Sequence, residues 1–282
     1  MTGVQTCALR SKIKCWHFRR SLLTNHVIKF ADDTTVVGLV SDNDESAYRM
    51  EVEQLTTWCR SHNLVLNVEK TKEMVIDFRR AGKQHHTPLS VAGAAVERVS
   101  SVKFLGVHLA DDLTSNTNTT AVIKKAQQRL HSLRRLRKAG LPPPHLTTFY
   151  RGTIESILTY SFTSWFGSSK AYEQQQLNRI VKTASRIIGV PLPLLMVVYQ
   201  QRCTRRAIAI IKDIHHPSHS LFSLLPSGRR YRSIPCRSSR MLSSFFPQAV
   251  RLLNGLCPLP LPLTHTHKHP PTHMMHKTRV SN

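Results

Sequence analysis

The chain has 282 residues, with 40 Lys and Arg against 16 Asp and Glu, a formal charge of +24 and a pI near 10.5. An excess of that size repels itself unless a polyanion is close, and nucleic acid is the commonest polyanion. The six cysteines form no C-x-x-C pair and are widely scattered, which excludes zinc ribbons and thioredoxin-like redox motifs and argues for a reducing compartment. No apolar run is long enough to cross a bilayer, and the basic segment from Met1 to Arg20 lacks the apolar stretch of a secretory signal. The expected location is therefore intracellular, nuclear or cytoplasmic, with no membrane partner.

In chain order, residues 1–25 show neither helix nor strand period and are expected to lack order. Val27 to Phe30 and Thr34 to Val40 are β-type runs around the polar pair Asp32-Asp33, which predicts a β-hairpin with the two acids at its tip. Asp44 to His62 reads as a helix, with Asp44 as N-cap and a stripe of Met50, Val52, Leu55 and Trp58. Leu64, Leu66 and Val68 alternate with polar residues, as do Met74, Ile76 and Phe78 beyond Lys70-Thr71-Lys72. Val91, Val96 and Val99 are weaker strand signals, and Val102 to Leu109 is a further strand candidate with Gly106 inside it. Beyond Asp112 the pattern is helical. Helices are expected over Asn118 to Ala139, His145 to Tyr160, Tyr172 to Ile188, Leu192 to Ile214 and Arg240 to Asn254, with Gly140 and Gly189 as stops. His215 to Ile234 reads as a loop containing Leu-Pro-Ser-Gly-Arg-Arg-Tyr-Arg. From Gly255 the chain is rich in Pro, Thr and His and carries too little apolar surface for a core.

Phe30-Ala31-Asp32-Asp33 is the sharpest motif. Two adjacent carboxylates on a tight turn raise each other's pKa unless a cation lies between them. Divalent metal resolves that conflict, and two Mg²⁺ ions held by carboxylates can activate a primer hydroxyl and stabilise a leaving pyrophosphate. By itself an Asp-Asp pair is more often an ordinary surface turn. The basic helix from Asn118 carries Lys124, Lys125, Arg129, Arg134 and Arg135, which are candidates for contact with a nucleic-acid backbone.

The order of three motifs adds to this reading. Phe30-Ala31-Asp32-Asp33 is followed by Leu66-Asn67-Val68-Glu69-Lys70-Thr71-Lys72 and then by Phe104-Leu105-Gly106. That order resembles the reverse transcriptases of non-LTR, LINE-type retrotransposons, over about Lys29 to Asn254. The resemblance implies that Asp32 and Asp33 are catalytic metal ligands for Mg²⁺, that Lys70 or Lys72 lies near the departing pyrophosphate, and that Phe-Leu-Gly marks the primer-grip hairpin. It also implies a helical thumb beginning at Ile123 and an RNA and DNA primer–template as partner. A second, shorter resemblance covers Tyr172 to Tyr199, which is similar to the N-terminal module of AlkB homologue 8. The chain has no His-x-Asp pair for an iron site and no Gly-rich turn there for a methyl-donor cofactor, so neither activity is carried over.

The expected fold is α+β: a truncated reverse-transcriptase palm followed by a helical thumb and a C-terminal helical region. Residues 1–25 are unassigned, 26–112 form the partial palm, 113–168 the thumb-like helices, and 169–254 the C-terminal helical region with the AlkB-like segment. Residues 255–282 form a disordered tail. Polymerase chemistry needs a further carboxylate from an earlier palm strand, and Met1 to Asn25 contains no Asp or Glu. The expectation is thus a fragment of an RNA-directed DNA polymerase that binds nucleic acid and is inactive alone. The other readings are a non-enzymatic, basic helical nucleic-acid-binding protein, or a protein marked by its AlkB homologue 8-like segment without dioxygenase or methyltransferase activity.

Overall fold

The computed structural model describes residues 3–10, 25–78 and 86–256, with the backbone alone for 3–10. The expected hairpin is present. β2 (Asn25–Phe30) and β3 (Asp33–Val40) pair antiparallel from Asn25 with Gly38 to Phe30 with Asp33, leaving Ala31 and Asp32 as the turn. Ala31 takes a φ of 52°, the sign that primed two-residue hairpin turns need at their first position.

One correction falls on the first segment. Gly3–Arg10, expected to lack order, forms β1, and it lies inside the sheet rather than at its edge. It pairs antiparallel with β3 over eight positions, from Gly3 with Val40 to Arg10 with Asp33, and on its other side with β4 (Lys72–Ile76). An interior strand satisfies both its N–H and C=O rows in ladders, and such strands do not need the polar–apolar alternation that marks a half-exposed one. Residues 1–2 and 11–24, and the tail beyond Leu256, lie outside the described residues, while Asn25 opens β2.

α1 (Ser46–Ser61) connects β3 to β4 and covers the sheet. Asp44, expected as the N-cap, lies one residue before it: Glu45 is the N-cap, and Asp44 Oδ1 accepts the Ser46 N–H at 2.9 Å in the turn that leads into the helix. The hydrogen bonds from Ser46 hold that carboxyl below its ordinary range. The buried stripe is Tyr48, Val52, Leu55 and Cys59, at i, i+4, i+7 and i+11. Met50 and Trp58, expected on that stripe, are exposed and half-buried respectively. The stripe closes a core with Val36, Leu89, Val91 and Val96. Leu64, Leu66 and Val68 also lean on this core, yet they form no strand. Thr71 N–H reaches back to Asn67 and Val68, so the chain turns there instead of extending.

Short strands complete the mixed part: β5 (Ser90–Val91) with β6 (Ala94–Ala95), and β7 (Glu97–Arg98), which pairs parallel with β4. The main sheet runs β2-β3-β1-β4-β7. Val102 to Leu109, expected as one strand, is a hairpin of β8 (Ser101–Phe104) and β9 (Val107–Ala110). Leu105 and Gly106 both have positive φ, 44° and 88°, as a type I′ turn requires.

The helical part follows as α2 (Asn116–Lys138), α3 (Pro143–Tyr150), a π-helical turn over Arg151–Glu155, α4 (Ser156–Leu158), α5 (Phe162–Trp165) and α6 (Ala171–Ile188). Gly140 and Gly189 end α2 and α6 with φ of 81° and 83°. Leu133, Leu146, Ile154, Leu158, Phe162, Phe166 and Leu177 are fully buried and form the helical core. Trp165 and Phe166 belong to it and are not stacking platforms. α7 (Leu195–Lys212) continues the chain, followed by α8 (Ser239–Leu242) and α9 (Phe245–Gly255).

The chain divides into two compact units, Met1–Tyr199 and Gln200–Asn282. The expected boundaries at 112 and 168 do not separate units, because α2 packs on both β9 and α6. Two hydrogen bonds tie these elements together. His108 N–H donates to Asn118 Oδ1 at 3.1 Å, and Ser115 Oγ donates to the buried Glu173 Oε2 at 3.0 Å. Among the described residues no helix is long and apolar enough to cross a membrane.

Candidate nucleic-acid interface

α2 has 23 residues and no carboxylate. Ala126, Leu130 and Leu133 are buried on one side. Opposite them Lys124, Gln128, His131, Arg135 and Lys138 recur at i, i+4, i+7, i+11 and i+14, all exposed. At 1.5 Å per residue this stripe is roughly 21 Å long. Of the five residues expected to contact nucleic acid, Lys124 and Arg135 lie on the stripe. Lys125 and Arg129 flank it on one side and Arg134 on the other. Among the described residues none of these cations has an ion pair. Arg135, Arg137 and Lys138 occupy the last turn, where the helix dipole favours positive charge, so part of the pattern also serves helix stability.

A cavity of about 360 Å³ opens beside α2, lined by Lys103, Gly106, Asn118, Lys125, Ser156 and Tyr160 among others. Two of its lining residues are lysines, one from β8 and one from α2. The π-helical turn brings Ser156, Ile157 and Tyr160 to its wall. Tyr160 is 54% exposed and donates its hydroxyl to Leu105 O at 2.7 Å, which fixes the β8–β9 turn. Sequence reading placed the hairpin tip and the basic helix separately. It missed their shared cavity, because nothing in the residue pattern signals that Tyr160 folds back on Leu105.

Gly106 is needed twice over. Its φ is 88°, and a Cβ there would lie 2.9 Å from Tyr160 Cε1. Gly93 shares the positive φ, 82°, with open space around it. Gly106→Ala is expected to cost about 1–3 kcal/mol in urea unfolding, and Gly93→Ala about 1 kcal/mol from backbone strain alone. Equal losses would show that the Tyr160 contact carries no weight.

The acid turn is less complete. Asp32 is exposed and Asp33 half-buried, at the tip of β2–β3. The earlier strand, from which the resemblance requires a further carboxylate, is β1; it lies beside β3, and its sequence GVQTCALR holds no Asp or Glu. Among the described residues no group of three or more His, Cys, Asp or Glu could hold a metal ion. Asp32 and Asp33 alone do not fit the two-Mg²⁺ site that the sequence resemblance implies, so no metal-assisted step is drawn. Lys70 is exposed in a turn, its N–H held by Asn67 Oδ1 at 3.1 Å. Lys72 lies on β4, not in a turn, and its ammonium pairs with Glu97.

Comparison with known families gives one match. A family model described as alkylated DNA repair protein alkB homolog 8, N-terminal, matches residues 115–156. The matched stretch is under a sixth of the chain and spans α2, α3 and the π-helical turn. It therefore includes the basic stripe and part of the cavity wall. The similarity expected at 172–199 lies on α2 and α3 instead. α2 and α6 are both amphipathic helices with basic outer faces, and the residue pattern alone does not tell one from the other. No curated protein and no solved structure matches the chain.

Proposed function

We propose that the chain is a nucleic-acid-binding protein descended from a LINE-type retrotransposon reverse transcriptase, without polymerase activity of its own. The observation that carries the binding is α2: an exposed stripe holding Lys124, Arg135 and Lys138, with no carboxylate on the helix. A backbone-tracking surface of this kind contacts phosphates and reads no sequence. Three further features support the descent. Asp32 lies in the turn of a two-residue hairpin with Asp33 next to it at the head of β3, an upstream strand lies directly against that hairpin, and a Phe-Leu-Gly hairpin precedes the basic helix. The fold is then a reduced palm followed by thumb-like helices, and the ligand is an RNA–DNA primer–template. The loss of activity rests on β1, which occupies the strand position next to the acid turn without supplying an acid. The alkB homolog 8 match favours a second, coarser reading, in which the same helices are a non-catalytic module and no palm is involved.

Two assays on the full chain test this. Primer extension on an RNA template with Mg²⁺ or Mn²⁺ is expected to give no incorporation above background, while a labelled RNA–DNA hybrid is bound. Incorporation that disappears in Asp32→Ala would overturn the loss of activity. Failure to bind the hybrid at low salt would overturn the nucleic-acid reading itself.

A further inference from the structure

The second unit carries a charged surface that the α2 reading does not use. In residues 200–256 nine arginines and one lysine stand against a single carboxylate, Asp213. Three of the arginines, Arg229, Arg230 and Arg232, fall within four residues on the loop that the sequence marked as Leu-Pro-Ser-Gly-Arg-Arg-Tyr-Arg. All three are exposed, and among the described residues none has an ion pair.

The loop is held in one shape. Leu224 and Tyr231 form an antiparallel bridge. Leu225 N–H donates to Arg230 O, Gly228 N–H to Leu225 O, and Arg232 N–H to Ser223 O, each at 2.8 Å. Gly228 takes φ 68° at the tip. Asn254 on α9 clamps the base from both sides, accepting Tyr231 N–H on Oδ1 at 2.8 Å and donating Nδ2 to Tyr231 O at 3.1 Å. Tyr231 is 5% exposed, with its ring edge-on to Phe222. Tyr231, in the bridge, is buried, while its two neighbours Arg230 and Arg232 are both exposed. Two positions apart in the chain, their Cα atoms lie at most about 7 Å from each other, so the two guanidinium groups can reach successive phosphates of one nucleic-acid strand.

Arginine in place of lysine is a chemical choice. The planar guanidinium offers two parallel N–H donors to a phosphate, where an ammonium offers a point charge. We propose that this loop is a second phosphate-binding surface, taking two successive phosphates of a nucleic-acid strand on Arg230 and Arg232 with Arg229 at its rim. It belongs to the unit that lacks α2, and it depends neither on the acid turn nor on the polymerase resemblance.

The test compares the full chain with Arg230→Gln/Arg232→Gln and Arg230→Lys/Arg232→Lys, using fluorescence anisotropy on a labelled RNA–DNA hybrid. Thermal melts confirm folding of each. Losing two phosphate contacts lowers the slope of log affinity against log salt by about two, so the affinity lost between roughly 50 and 200 mM salt shrinks about tenfold. The Gln pair is expected to show that change. The Lys pair is expected to keep the slope and bind more weakly than the parent, because a lysine does not reproduce the fork. Affinity and slope at parental values in the Gln pair overturn the proposal. So does poly-glutamate that displaces the hybrid as well, charge for charge, as unlabelled hybrid does, which would point to an acidic peptide partner. Should the Gln pair not fold, the Lys pair decides: parental affinity in it also overturns the proposal. Loss in the loop variants with intact binding in α2 variants would leave this site standing and remove the α2 reading, and the reverse pattern would do the opposite.

Discussion

Arg98→Met is expected to lower the stability of the first unit by about 3 kcal/mol. Glu73 is fully buried on β4, and Arg98 on β7 reaches its Oε2 through Nε at 3.0 Å and Nη2 at 2.8 Å. The other carboxylate oxygen, Oε1, is buried with no hydrogen-bond partner. Removing Arg98 therefore leaves a carboxylate in dry surroundings without its cation, and breaking a buried pair from one side costs about 3–5 kcal/mol. The low end applies here because the Arg98 side chain is 35% exposed, so solvent already screens part of the pair. Arg98 also donates to His86 O and Thr87 O, both at 3.0 Å, and so fastens the strap that leads into Leu89 and the core. The same strap is held on its other side by Arg49 and by His86 Nδ1 against Glu45 Oε1 at 2.5 Å. Urea denaturation of Arg98→Met, Glu73→Met and the double variant measures the coupling. The double variant is expected to regain most of the loss, since an apolar pair carries no uncompensated charge. An Arg98→Met midpoint equal to the parent's would mean that Glu73 finds another partner.

How much of this was legible in the sequence depends on the range of the interactions concerned. The Asp32-Asp33 hairpin and the Gly140 and Gly189 stops are decided within a few residues, and each was readable from turn and stop chemistry; the start of α1 was read one residue early, at Asp44 instead of Glu45. β1 was not, because a strand with two neighbours is fixed by ladders to residues some thirty and seventy positions away, and its own sequence shows no clean alternation. The α1 stripe was read with Met50 and Trp58 where Tyr48 and Cys59 lie, since the choice between adjacent apolar rows depends on which one the sheet covers. Lys72 was placed near a departing pyrophosphate by resemblance alone, and its pairing with Glu97 depends on β7 coming alongside β4 from twenty-five residues away. The nucleic-acid candidates were chosen by charge alone. Charge identifies the helix but not its outward row, so Lys124 and Arg135 proved to share a line while Lys125 turned toward the cavity. The cavity itself needed Tyr160 to reach Leu105 across fifty-five residues.

That outward row gives the largest expected change in binding. Reversing Lys124, Arg135 and Lys138 to Glu puts three negative charges on one line of α2, where a bound duplex would present its phosphates. The matched control reverses Lys268, Lys277 and Arg279, which alters the net charge of +24 by the same amount without touching α2. If binding came from net charge alone, the two triple variants would weaken it equally, because both shift the long-range field alike. Short-range phosphate contacts behave differently. Each one lost takes about 0.9 off the salt slope, so the α2 variant should lose about three units of slope and on the order of a hundredfold in low-salt affinity for a labelled RNA–DNA hybrid. The tail variant should change the affinity severalfold and leave the slope nearly intact. Helix stability is a separate matter. Glutamates in the last turn oppose the α2 dipole at a cost of up to about 1 kcal/mol per site, so a melt must show both variants folded at the assay temperature. Lys125→Glu adds a finer distinction, since Lys125 lines the cavity beside Lys103 instead of the stripe. A slope loss of about one in Lys125→Glu, added to that of the stripe variant, would mean that the bound backbone passes from the stripe into the cavity. No loss in Lys125→Glu would confine the interface to the outer row, and equal losses in the two triple variants would leave no groove on α2 at all.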